Sequence, residues 1–195
     1  MPISHTNCYG QIYYLHEGKT KTGKPKYFMS KMAEGNLAES VPGGYEIYER
    51  PGGVISVRKI PKTPILPHEL KYVQDKIAPL GDKENAELEK LLNKLYPFEA
   101  TVGGKRQRMP FELRTRFEAE IKGKEIIVYE VRGGRVTPML KFTLLDEDTR
   151  EYSAEHWYIG KHDRWRHLKS GQLRNLVNKY CPKMPADGLY ERYAW

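Results

Sequence analysis

Strict alternation is the feature that most constrains this chain. Phe111, Leu113, Thr115, Phe117, Ala119 and Ile121 share one parity, and Glu112, Arg114, Arg116, Glu118 and Glu120 share the other. A period of two with the apolar set on one side specifies a half-buried β-strand. The turn Lys122-Gly123-Lys124 leads from it into Glu125-Ile126-Ile127-Val128-Tyr129-Glu130-Val131. Gly133-Gly134 then leads towards Met139-Leu140-Lys141-Phe142-Thr143-Leu144. Beyond the acidic turn Asp146-Glu147-Asp148, a strand is expected around residues 152–159 and another around 165–168. Parallel neighbours need a crossover of a dozen or more residues, so strands this closely spaced pair antiparallel and form a meander. A helix opening at Ser170, with Leu173, Leu176, Val177 and Tyr180 on one face and Pro182 as its stop, closes it.

The first 60 residues carry the same kind of signal in shorter pieces. Gln11-Ile12-Tyr13-Tyr14-Leu15-His16 and Lys26-Tyr27-Phe28-Met29 are β-favouring runs joined by a polar stretch with Gly18, Gly23 and Pro25. Tyr45-Glu46-Ile47-Tyr48-Glu49 and Val54-Ile55-Ser56-Val57-Arg58 form a second pair around Arg50-Pro51-Gly52-Gly53. Four antiparallel strands then make one small sheet. Pro61, Pro64 and Pro67 forbid a helix or central strand between residues 60 and 67, so that stretch is the linker. Leu66, Leu70, Val73 and Ile77 follow at helical spacing up to Pro79. Leu88, Leu91, Leu92 and Leu95 then mark a second helix capped by Asp82 and stopped by Pro97. The expected fold class is therefore α+β: a small N-terminal antiparallel sheet of hairpins over residues 1–60, a proline-rich linker and helical hairpin over 61–98, and a meander with a C-terminal helix over 99–195.

Composition bounds what such a fold can do. A mean hydropathy of −0.71 and 30% charged residues leave no apolar run near the roughly 18 residues that a membrane span needs. The first eight residues lack the cationic start and apolar stretch of a secretory signal, so a cytoplasmic location and no membrane partner are expected. Two cysteines, Cys8 and Cys181, are too few for a disulfide framework and are expected as free thiols. The net charge of +8 favours a polyanionic partner. It is uneven: residues 1–65 hold nine Lys/Arg against five Asp/Glu, residues 66–98 five against six, and residues 99–195 nineteen against fourteen.

Two segments gather that charge beside aromatic residues. Lys19, Lys21, Lys24, Lys26 and Lys31 face only Glu17 between Gly10 and Lys31, on a hairpin that also carries Tyr13, Tyr14 and Tyr27. Lysines on a two-stranded ribbon can follow a phosphate backbone with little choice of sequence. The second segment holds Lys161, Arg164, Trp165, Arg166, His167, Lys169 and Arg174, with Trp157 and Tyr158 close by. Arginine next to exposed rings supplies both phosphate contact and base stacking. Nucleic acid, DNA or RNA, is the expected partner. Its alternative is a structural use in which Trp157 and Trp165 face the last helix and the arginines are solvated. The tail Leu189-Tyr190-Glu191-Arg192-Tyr193-Ala194-Trp195 is apolar enough to dock on a protein partner, the reading of an adaptor.

Catalytic signatures are sparse. His156, His162 and His167 lie six and five residues apart with no cysteine to complete a zinc set. No nucleophile elbow and no phosphate-cradling glycine loop occurs. Over sixteen residues, from Phe117 to Arg132, the chain resembles the core hairpin of PD-(D/E)XK nucleases, in which acids on neighbouring strands hold a divalent metal at a scissile phosphate. That resemblance implies Glu120, or Glu118, and Glu130 as metal ligands. Arg132 stands where the family has a lysine, and a glutamate replaces the usual aspartate. No other cofactor is expected.

Overall fold

The computed structural model describes residues 1–95, 101–102, 105–106, 114–158 and 164–184, without the side chains of Leu92, Asn93, Leu95, Thr101, Val102, Lys105 and Arg106. The fold is α+β, in two compact units, Met1–Lys62 and Thr63–Trp195.

In the first unit, Ser4–Thr6 (β1), Ile12–Lys19 (β2) and Pro25–Ser30 (β3) form a three-stranded antiparallel sheet. Tyr45–Arg50 (β4) and Val54–Lys59 (β5) pair separately as a two-stranded ribbon, so the expected single sheet is two. The N-terminal loop ties them together. Asn7 donates its side-chain amide to the Gly53 carbonyl (2.9 Å), the Cys8 N–H reaches Glu49 (2.8 Å), and His5 meets the same carboxylate. Burial pushes the Glu49 carboxyl up, but those two partners outweigh it and hold it below its usual range. Gly53 is needed twice, for its φ of +79° and because a Cβ there would come within 2.6 Å of the Tyr9 ring. Leu15, fully buried, and Ile55 sit inward. Cys8 is exposed.

The second unit opens with one helix, Pro67–Leu95 (α1), where the proline rule predicts two. Pro79 removes a backbone donor and crowds the carbonyl four residues back. It lies on the exposed side, however, as does Asp75, whose carbonyl it leaves without a helical donor. Meanwhile Glu69, Val73, Ile77, Gly81 and Asn85, spaced by four, are all buried in an unbroken stripe. Gly81 lies so close to the sheet that a Cβ would stand 2.7 Å from the Thr115 carbonyl oxygen. Asn85 donates to that carbonyl (2.9 Å) and accepts from the Thr115 N–H (2.8 Å). These contacts carry the helix past its proline. Of the predicted second stripe, Leu88 is half-buried and Leu91 is 51% exposed.

Past a two-residue ladder, Thr101–Val102 (β6) with Lys105–Arg106 (β7), comes the five-stranded antiparallel meander. Its strands are Arg116–Lys122 (β8), Glu125–Arg132 (β9), Arg135–Asp146 (β10), Glu151–Tyr158 (β11) and Arg164–Gln172 (β12), in sequential order. The first residues of the alternating run, 111–113, lie outside the described residues. Phe117, Ile126, Val128, Leu140, Phe142, Tyr152 and Ala154 pack from one face against Val73 and Ile77 and against Leu173–Tyr180 (α2). The closing helix therefore begins three residues later than expected, and all four residues of its predicted apolar face are buried. Cys181 is buried behind it, and burial pushes its thiol up to about 12, far from thiolate chemistry. Among the described residues no helix is long and apolar enough to cross a membrane.

Candidate nucleic-acid interface

The ribbon of β2 and β3 pairs without a register slip, from Tyr14 opposite Ser30 to Lys19 opposite Pro25. Thr20 shapes its tip: the hydroxyl donates to the Lys24 carbonyl (3.2 Å) and accepts from the Lys24 N–H (3.1 Å), while Gly23 takes the left-handed φ of +79°. This folded-back turn sets Lys19, Lys21, Lys24 and Lys26 around one end, all exposed. Among the described residues none of the four has a carboxylate partner. Glu17, the sole acid in this stretch, accepts from the Tyr27 hydroxyl instead (3.2 Å).

Rings complete the surface. Phe28, 41% exposed, stacks on buried His16 with centroids 5.2 Å apart, and the Lys26 ammonium lies 5.7 Å over it. Gly18 on the neighbouring strand leaves that ring uncovered, since even a Cβ there would only touch its edge. On the other face of the ribbon the Lys31 ammonium sits 5.5 Å over Tyr13. Tyr13, Tyr14 and Tyr27, the rings singled out from sequence, are half-buried. Phe28 is the more accessible ring, and sequence reasoning missed it. Its signal is the register, which sets it beside a glycine.

The second segment divides between the two faces of the sheet. Trp165 lies opposite Trp157 and His167 opposite Glu155, whereas Arg164 and Arg166 lie opposite Tyr158 and His156, with the parity of core residue Tyr152. The tryptophans therefore do not face the last helix, contrary to the structural reading of the sequence. They form an edge-to-face pair 5.1 Å apart on the outer face, where the Lys141 ammonium lies 4.9 Å from the Trp165 ring. Lys141 is held there by Glu155 (2.7 Å) and Glu125 (3.4 Å), and His167 bonds Ser153 (3.0 Å). On the helix-side face Arg166 stacks on Tyr158 at 3.8 Å. Burial first, and then the Arg166 charge, lower the pKa of His156 and favour its neutral ring. Arg164 and Lys169 are exposed and have no carboxylate partner among the described residues. Arg174 lies on α2, its guanidinium beside the Tyr72 ring. Lys161 and His162 lie outside the described residues, as does the aromatic tail from Leu189 to Trp195.

The nuclease-like pair does not assemble. Glu130 is registered opposite Phe117 and Glu120 opposite Ile127 with no bulge between, so the two carboxylates leave opposite faces of the sheet and cannot share a metal. Glu120 is instead buried, accepting from the Tyr129 hydroxyl (2.9 Å) and pairing with Lys122 (2.5 Å). Burial alone would lower Lys122, but Glu120 and Tyr129 raise it, keeping it charged. Glu118 pairs with Arg116 on its own strand (3.3 Å). Among the described residues no three His, Cys, Asp or Glu side chains converge as metal ligands. No protein-family model matches the chain, and neither a curated protein nor a solved structure is found similar to it.

Proposed function

We propose that the protein binds nucleic acid, with Lys19, Lys21, Lys24 and Lys26 as its phosphate contacts and Phe28 as a stacking ring beside them. The observation that carries this reading is the set of four lysines at one ribbon end with no carboxylate partner among the described residues, next to an exposed ring. Cations already paired in the fold have little to gain from a phosphate; unpaired ones release condensed counterions from the polymer. Arg164, Lys169 and the Arg166–Tyr158 stack supply a second set of contacts of the same chemistry. Such contacts favour single strands over a base-read duplex, because stacking and charge need no particular sequence, and a cytoplasmic location fits that partner.

Titration of a labelled single-stranded oligonucleotide at two salt concentrations tests the reading. Four neutralised phosphates give a slope of log affinity against log salt of about −3. Absence of binding at low salt would reject it.

A further inference from the structure

A cavity of about 450 Å³ opens in the second unit where the start of α1, the turn between β10 and β11, and the start of α2 meet. That volume falls in the range of roughly 300–1,000 Å³ typical of pockets for small organic ligands. One wall is a fixed ion pair. Arg150 grips Glu69 through both its Nε (3.0 Å) and a terminal nitrogen, and it also reaches the Pro64 carbonyl and the Tyr152 hydroxyl. Arg150 holds this position with a left-handed φ of 55°, rare for a residue with a side chain. Its charge is spent on Glu69, so this wall gives shape and no net charge.

The rest of the lining is different. Arg174 is exposed and has no carboxylate partner among the described residues; its guanidinium lies 5.7 Å from the Tyr72 ring centroid. The Tyr72 hydroxyl is anchored on Asn178 (2.8 Å), which holds the ring in place. His68 lines the same cavity. Gln172, at the N-cap of α2, makes no capping bond and gives its amide to the Thr149 carbonyl (2.9 Å) instead. Tyr72 and Leu173 provide apolar surface next to this positive edge.

We infer that this cavity binds a phosphate monoester of a small planar compound, its phosphate on Arg174 and its ring against Tyr72 and Leu173. A free cation in fork geometry suits a phosphate, and a cavity this large takes an organic body as well. This inference does not rest on the lysine ribbon.

Adenosine 5′-monophosphate, inorganic phosphate and adenosine, each titrated calorimetrically into the full chain, test it. The monophosphate should bind saturably and more tightly than either of the other two. Arg174→Ala should weaken it by about tenfold, the usual effect of one charge-assisted contact. Arg174 is exposed on α2, so the urea midpoint should not move, and Lys21→Glu should leave this affinity unchanged. Failure of the monophosphate to bind at millimolar concentration, adenosine binding equally well, or an unaffected Arg174→Ala variant would each overturn the inference.

Discussion

The β2–β3 ribbon and the five-stranded sheet are built from the same materials, cationic side chains beside aromatic rings, and use them in opposite ways. In the sheet unit the fold consumes a distinct set of those charges, Lys122 by Glu120, Lys141 by Glu125 and Glu155, Arg116 by Glu118 and Arg150 by Glu69, while Arg164 and Lys169 keep no carboxylate partner among the described residues. On the ribbon Lys19, Lys21, Lys24 and Lys26 have no such partner among the described residues, and the nearby acid is taken by a tyrosine. Net charge therefore overstates how much cation a partner can find. Paired cations contribute to stability, unpaired ones to association, and substitutions should separate the two.

The largest effect is expected at the Glu69–Arg150 pair, in which a buried carboxylate holds a half-buried guanidinium. Glu69→Ala strands Arg150 and should cost about 3 kcal/mol in urea unfolding. A loss under about 0.5 kcal/mol, the level of an ordinary surface substitution, would erase the distinction between the two regions. Gly81→Ala follows, at about 2 kcal/mol, because its Cβ meets the Thr115 carbonyl oxygen at 2.7 Å and α1 must lift from β8. An unchanged urea midpoint would contradict the close packing that carries the helix past Pro79. Acid should have a smaller effect. Burial raises the Glu69 carboxyl, but Arg150, the Leu66 N–H and Tyr152 together hold it below its ordinary value of 4.5. A depressed carboxyl stabilises the fold fully at neutral pH, and that contribution is lost as pH falls below 4.5. Glu69→Gln should flatten this acid limb in a pH series of unfolding midpoints; an unchanged limb would assign it to other carboxylates.

The hairpins were legible because each pair of β-favouring runs is joined by a short polar turn, which fixes both partner and direction. β1 was not, since Ser4, His5 and Thr6 carry no pattern of their own and become a strand only by pairing with β2. The break at Pro79 was read from a local rule, while the stripe that overrides it includes Gly81 and Asn85, residues an apolar count ignores. The ribbon lysines could be found because they sit at a turn, where side chains have nowhere to bury. By contrast, the slip between Ala154 and Glu155 that governs the faces of β12 has no local signature. The Glu69–Arg150 pair joins residues 81 apart, and only the fold brings them together.

The central claim is tested most directly by the salt dependence of oligonucleotide binding in two charge-reversal variants. One is Lys21→Glu with Lys24→Glu, which reverses unpaired ribbon cations. The other is Lys124→Glu, which reverses a sheet cation already paired with Glu147 (3.4 Å). Both should leave unfolding within about 0.5 kcal/mol of the native chain. The ribbon variant should lose affinity and flatten the slope of log affinity against log salt by about two, while the sheet variant keeps the native slope. Equal slopes in the two variants would contradict the account.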